Sequence, residues 1–480
     1  MPSKQPTGNK PVVIPVAADQ LDLLQLHRSN PRRYPYLLQS VAQPAGQASF
    51  DILFACPQYA LELSADGTQK IKTDFTDIDN SQNTFINQID TSTRDFLETF
   101  KMLWQLAGNG WSGDSGLPFS GGWFVYLGYE LSKQIEPVLQ SGKNNGVDFP
   151  TAIASRVPAA IIRSHDDNQF FFIVEENYQE LSDLIQRDLQ SYITSSAYDK
   201  ENNTGDSIIV SILEDEAQEY IDNVKRIKEY IRDGDVFQVN LSRLWQATLH
   251  ADISTAQIYS RLSQTNPAPF FALAEYGDNA IISSSPERLV KVNGRRIDTR
   301  PIAGTRPRGN TRDSDQANLD ELIDHPKERA EHIMLIDLER NDLGRVCLPG
   351  SVKVNELMVL ESYSHVHHIV SNVQGCLREE ITPSDVIKAV FPGGTITGCP
   401  KVRCMEIIAE LEKTDRGPYT GSLGYVNHSG DMDLNILIRT LVKQKNRLSF
   451  RAGAGIVADS IPENELEETR AKAKGLLLAL

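Results

Sequence analysis

Long apolar runs are missing from this chain of 480 residues: none approaches the ~18 residues that a membrane span needs. The opening stretch MPSKQPTGNKPVVIPV has no apolar segment of signal-peptide length, so it is expected to be a loose leader on a cytoplasmic protein. Cysteine is scarce. The five present (Cys56, Cys347, Cys376, Cys399 and Cys404) show neither zinc spacing nor a dense disulfide framework. Cys399 and Cys404 lie five apart in an expected helix, poor geometry for a bridge, and free thiols of a reducing compartment are expected. Positive charge is also short, with 48 Lys and Arg against 64 Asp and Glu and a net charge of -16. That balance argues against a nucleic-acid surface or a polybasic membrane anchor. No internal repeat and no GxxxxGK[ST] phosphate loop occurs.

What remains is the composition of a soluble globular protein, 40% hydrophobic and 23% charged, too long for one ordinary domain. The polar segment SSAYDKENNTGDS lacks hydrophobic periodicity. It is taken as a linker over 196–207, between an N-terminal lobe (1–195) and a C-terminal catalytic lobe (208–480). FDILFACP and QFFFIVEE are strand-like, DFLETFKMLWQLAG is helical, and FSGGWFVYLGYELS is a glycine-punctuated aromatic segment expected to pack tightly. Past the linker, SIIVSIL, FQVNLSRLWQATL, FFALAEYG/NAIISSS and RLVKVNG/RRIDTRP give strands in hairpin order. EDEAQEYIDNVKRIKEYIRDG reads as an amphipathic helix ended by Gly234, and HPKERAEHIMLIDLERN as one opened by Pro326. GCPKVRCMEIIAELEK has Pro400 near its first turn, and ENELEETRAKAKGLLLAL closes the chain. The run from YTGSLGY to RAGAGIV reads as three antiparallel strands. Strands arriving in hairpins predict an α+β fold with mainly antiparallel sheet.

Several segments could carry chemistry. TRPIAGTRPRG, residues 299–309, holds two prolines, two glycines and three arginines, and is expected to be a rigid basic loop prepared for an anionic small molecule. On the closing helix Glu465, Glu468 and Lys472 follow i, i+3, i+7 spacing and share one face. Glu328 and Glu331 are likewise three apart, beside His332. Carboxylates brought together from two helices repel by about 4 kcal/mol at ~4 Å and an effective dielectric of ~20. Magnesium would remove that cost while keeping positions for substrate oxygens. Taken alone, acidic faces of this kind read first as solvated surface, and spacing by itself is a weak sign of a metal site. FPGGTITGCPKVR, 391–403, is a glycine loop entering a helix, either an anion cradle or a tight capping turn. In SYSHVHHIVS, alternation puts His365 and His367 on one face of a strand and His368 on the other. SSSPERL sets Glu287 at a strand end, a general acid or a turn residue.

In this order the segments resemble the chorismate-utilising enzymes, over the whole of 210–480 and more loosely before it, where RRYPYLLQS and GGWFVYLGYE look like the amidotransferase-dependent branch. The resemblance implies two antiparallel sheets packed as a core with helices outside. It implies that Glu331 and Glu468 bind magnesium at the ring carboxylate. Glu287 would protonate a departing 4-hydroxyl, with His368 beside the ring. Thr305, Thr395, Tyr419, Arg439, Gly453, Gly455 and Lys472 would hold the substrate. Relatives that use water carry a lysine just before VxLxR; here Gln238 stands there and cannot act as that base, so ammonia is the implied nucleophile. No G-x-C-x-G surrounds any cysteine, so a separate glutamine amidotransferase subunit is the expected partner.

QVNLS, NPAPF, TITGCPK, YTGSLGY and DLNILIRT look like the aminodeoxychorismate branch, whose product feeds 4-aminobenzoate and folate synthesis. LLQS departs from the LLES element associated with tryptophan feedback. Ala303 points the other way: some aminodeoxychorismate synthases carry a nucleophilic lysine there, whereas PIAGT is the anthranilate form. The alternatives are therefore an anthranilate synthase component I or a catalytically silent chorismate- or tryptophan-binding subunit. Retention of Glu287, Glu331, His368 and Glu468 argues against the last.

Overall fold

Short, nearly continuous apolar runs such as FDILFACP and GGWFVYLGYE suit strands buried on both faces, and the computed structural model of the protein contains two sheets of them. It describes residues 12–14, 21–41, 49–73, 89, 91, 94–108, 116–139, 149–194, 207–309, 311–324, 326–362 and 366–480, with backbone only at Ala303, Thr305, Pro307, Asp324, Pro326, Lys327 and Val366. The expected linker (except Ser207), His365 and most of the expected leader lie outside the described residues.

One sheet runs, edge to edge, through Val12–Ile14, Gln169–Val174, Ala159–Ser164, Phe50–Ala55, Tyr36–Gln39, Phe270–Tyr276, Asn279–Ser285, Thr440–Gln444, Arg447–Ile456, Gln238–Leu249 and Ile209–Glu214. The other runs through Ile302–Pro307, Val366–Cys376, Arg296–Thr299, Arg288–Asn293, Met432–Asn435, Ser422–Asn427, Gly122–Leu127, Ala152–Val157, Tyr59–Leu63 and Gln69–Lys72. These neighbours pair antiparallel throughout, as hairpin connections require. In each sheet a strand from before residue 195 pairs directly with one from after 207. Tyr36–Gln39 lies against Phe270–Tyr276, and Gly122–Leu127 against Ser422–Asn427.

The sheets face each other across an aromatic-rich layer that includes Tyr36, Phe54, Phe119, Phe124, Tyr126 and Leu423. Tyr36 of one sheet stacks on Phe124 of the other at 3.9 Å between ring centroids. The outer faces are covered by helices: Thr255–Thr265 and the closing Pro462–Leu477 on the first sheet, Phe96–Ala107, Pro326–Gly344 and Pro383–Val390 on the second. The helices Ala217–Arg232 and Lys401–Leu411 enclose the end where Gln238–Leu249 begins. The fold is α+β, as the hairpin order implied.

Two expectations change. TRPIAGTRPRG is a bulged edge strand and not a loop: Ile302–Pro307 pairs with Val366–Cys376, with the register broken between Ala303 and Thr305. Gly304 sits in that break at φ +64°, a conformation that glycine adopts without strain. Second, the stretch after Tyr419 makes four strands where three were expected. The chain leaves the second sheet at Asn435 and enters the first at Thr440, turning through Arg439 at φ +51°.

Candidate active site

Two crossings between the sheets define the site. Asn279–Ser285 belongs to the first sheet and Arg288–Asn293 to the second, so Glu287 stands at the passage between them. Arg439 stands at the return passage. The crossings are tied by backbone bonds: Ile436 N donates to Glu287 O at 3.0 Å, and Ser284 N to Arg439 O at 3.0 Å. Glu287 is 7% exposed, and its carboxyl is pushed up to about 7. Burial is the largest cause, opposed by the Thr395 hydroxyl and by the positive charges of Lys472 and Arg439. A carboxyl in this state can give or take a proton near neutral pH.

A second group forms along Arg447–Ile456. Ideal side chains at its alternate glycines would collide with their surroundings: at Gly453 with Leu241 O at 2.7 Å and Tyr419 Oη at 2.9 Å, at Gly455 with Gln238 Nε2 at 2.4 Å. The small residues therefore let Tyr419 and Gln238 press onto the strand. Lys472 Nζ donates to Gly453 O at 3.0 Å and pairs with Glu468 at 2.7 Å. Gln238, Gly453, Gly455, Tyr419 and Lys472 thus meet on one surface, and the charge of Lys472 reaches Glu287.

His368 lies on Val366–Cys376 opposite Thr305, with its Nδ1 3.4 Å from Gly304 O. Burial, and next the positive charge of Arg439, pull its pKa down to about 4, so the ring is neutral at neutral pH. His367 faces the other way and bonds Ser362 and Asp315, a structural arrangement. Glu331 rides on Pro326–Gly344, whose neighbouring residue His332 bonds Ser371 at 2.6 Å. Among the described residues no group of three or more His, Cys, Asp or Glu side chains has metal-holding geometry; the expected pair, Glu331 and Glu468, is below that number.

The arginines of TRPIAGTRPRG do not form the open basic wall expected of them. Arg300 pairs with Glu356 and Glu361, Arg306 with Glu321 and Glu328, and Arg308 with Asp315. Carboxylates from neighbouring elements of an acidic chain neutralise them. In the glycine loop at 391–403, close packing of Leu338 leaves no room for a side chain at Gly394. Thr395 within it brings its buried hydroxyl near the Glu287 carboxyl, short of a hydrogen bond.

Two buried features went unnoticed in the sequence. Glu339 lies near Glu287, with burial and then the Asp342 carboxylate pushing it above its ordinary value. Its signal in the sequence is an acid pair, Glu339 and Asp342, three apart on the face of the helix that also carries Leu335, Ile336 and Leu343 into the core. Arg416 and Glu412 form a buried ion pair behind Tyr419. LLQS and NPAPF meet in a 410 Å³ cavity between the sheets, where Gln39 is held by Asp51 and Tyr259.

Residues 54–478 match the family model described as chorismate binding enzyme. The chain is 44% identical over 366 residues to the anthranilate synthase component I-like protein of Synechocystis, covering 76% of this chain and 73% of that one. It is 43% identical over 369 residues to aminodeoxychorismate synthase component 1 of Bacillus subtilis, covering 75% and 77%. Among solved structures, anthranilate synthase component I from Streptococcus pneumoniae superposes with a TM-score of 0.76 at 30% identity, covering 91% of this chain and 93% of that one.

Proposed function

The chain belongs to the chorismate-binding enzymes, and we propose that within them it is a component I of aminodeoxychorismate synthase. It replaces the 4-hydroxyl of chorismate by an amine, using ammonia released from glutamine by a partner amidotransferase, and keeps the enolpyruvyl group. The observation that carries the amination is Glu287, which serves this reading and its alternative alike. Hydroxide is a poor leaving group, so the C4–O bond breaks only as a proton reaches the oxygen. A buried carboxyl with a pKa of about 7 holds that proton at neutral pH, where an ordinary glutamate would have lost it. Arg439 and Lys472 bring positive charge to the same enclosure, suited to a dicarboxylate substrate.

The nucleophile follows from what Gln238 lacks. Its amide cannot take a proton from water, which disfavours hydroxylation and favours an amine that already has a lone pair. His368, neutral in its buried setting, is suited to hydrogen bonding rather than to charge pairing. Glu331 and Glu468 supply hard oxygen donors from two helices, the donor chemistry that magnesium takes. They would hold the ion, which when bound acts as a Lewis acid toward the ring carboxylate.

Amination at C4 is supported by QVNLS, NPAPF, TITGCPK, YTGSLGY and DLNILIRT. The second reading, anthranilate synthase component I, is favoured by Ala303, which places no amine where some aminodeoxychorismate synthases have one. Incubation with chorismate, magnesium and ammonium separates them. A product that retains the enolpyruvyl group and yields 4-aminobenzoate with a lyase is expected. Fluorescent anthranilate with release of pyruvate would overturn the proposal in favour of the second reading.

A further inference from the structure

Arg416 has no role in the chemistry above, yet its guanidinium lies behind three walls of the site. It is 4% exposed, and its five N–H groups meet five acceptors. Nη2 donates to Asn240 O and Glu412 Oε1, both at 2.7 Å. Nη1 donates to Ile396 O at 3.2 Å and Thr420 Oγ1 at 3.3 Å, and Nε to Glu412 Oε2 at 3.0 Å. Asn240 is two residues from Gln238, Ile396 follows Thr395, and Thr420 follows Tyr419. One rigid fork therefore reaches the residues next to two proposed substrate contacts, Thr395 and Tyr419, and the backbone two residues from Gln238.

The fork is itself held. Glu412 accepts from Ser242 N at 2.9 Å and Ser242 Oγ at 2.8 Å, and pairs with Arg451 at 3.2 Å. Burial works against its charge, but Arg416 and Arg451 prevail and keep it below the usual carboxylate value. From the N-terminal half, Glu130 accepts from the amides of Arg416 at 2.7 Å and Gly417 at 2.9 Å, and Tyr129 lies under the guanidinium at 4.9 Å.

We infer that Arg416 is a positioning residue for the substrate site: it fixes the start of Gln238–Leu249, the Thr395 turn and the Tyr419 loop relative to one another without touching substrate. A lysine cannot replace it, because an ammonium offers three donors about a point and not five in a plane. The inference rests on the site proposed above.

Its test compares chorismate kinetics of Arg416→Lys, Arg416→Ala and wild type, with magnesium and ammonium, below the melting temperature of each. Arg156→Lys makes the same exchange in the buried Arg156–Glu175 pair outside the site and reports the effect of a lost ion pair alone. Arg416→Lys should raise KM for chorismate about tenfold with kcat within about threefold, the pattern of lost uniform binding. Arg156→Lys should leave KM unchanged at a comparable loss of Tm. Added guanidinium ion should lower the KM of Arg416→Ala. A KM within about twofold of wild type in Arg416→Lys, with Tm reduced as in Arg156→Lys, would overturn the positioning role and leave the site reading standing. A wild-type protein that leaves chorismate unchanged would overturn both. If the Arg416 variants do not accumulate as folded protein, Thr420→Val removes one acceptor of the fork: a KM raised two- to threefold supports the inference, and an unchanged KM overturns it.

Discussion

Ile436 donates its backbone N–H to the carbonyl oxygen of Glu287 over 3.0 Å, locking together the two passages between the sheets. The acid therefore sits on a double corner, with backbone from both sheets fixing its position. Its side chain enters an enclosure where Thr395, Lys472 and Arg439 surround it. A site on such a corner is rigid for the same reason that the sandwich is stable.

Glu287→Gln keeps the shape and removes the proton. We expect kcat to fall by about 10²- to 10⁴-fold, the usual contribution of a general acid, with KM for chorismate little changed. Steady-state kinetics on protein of unaltered near-UV circular dichroism checks this. Retained kcat would remove Glu287 from the mechanism.

The pH dependence has a definite sign. Turnover needs Glu287 protonated, so kcat/KM per free ammonia should decline as pH rises through about 7. Folding raises this carboxyl above its unfolded value, so the folded state binds the extra proton and stability falls as pH rises from about 4.5 to about 7. Glu287→Gln abolishes that cost. Its gain over wild type should be on the order of 3 kcal/mol or less at pH 8 and vanish toward pH 4, measured by urea unfolding.

Glycine-to-alanine changes on the strand Arg447–Ile456 should differ in severity. At Gly453 the new methyl meets the Leu241 carbonyl, which cannot rotate away, as well as Tyr419. A loss of about 1–3 kcal/mol and a higher KM are expected. At Gly455 the obstacle is the end of the Gln238 side chain, which can move, so stability should suffer less than the use of ammonia. Thermal melts and ammonium titrations of the two variants distinguish these effects.

Magnesium titration tests the two helical acids. Glu331→Gln and Glu468→Gln should each raise the magnesium concentration for half-maximal turnover by more than about tenfold. Turnover in Glu468→Gln with the metal dependence of wild type would remove that residue from the proposed pair.

Much of this was readable in the chain because it is local. Hairpin order announces antiparallel sheet, Pro326 and Pro400 mark helix starts, and Pro286 places Glu287 at a strand end. What escaped depends on partners distant in sequence. TRPIAGTRPRG resembled a loop because its prolines and glycines forbid a regular strand, but an edge strand with a bulge at Gly304 tolerates them. Its arginines resembled a binding wall because Glu321, Glu328, Glu356 and Glu361 arrive from elements whose docking no spacing reveals. The break at Arg439 was hidden for the same reason: DLNILIRT reads as one strand until two different sheets claim its ends.

The two seams, Tyr36–Gln39 against Phe270–Tyr276 and Gly122–Leu127 against Ser422–Asn427, bear on how the molecule would behave if severed. A protease cut between residues 194 and 207 breaks one covalent link and leaves both ladders intact, so the nicked protein should remain a single active particle. Made separately, each half would expose an unpaired strand in each sheet and seek its complement or another copy of itself. Co-expressed halves should therefore reconstitute activity that neither shows alone.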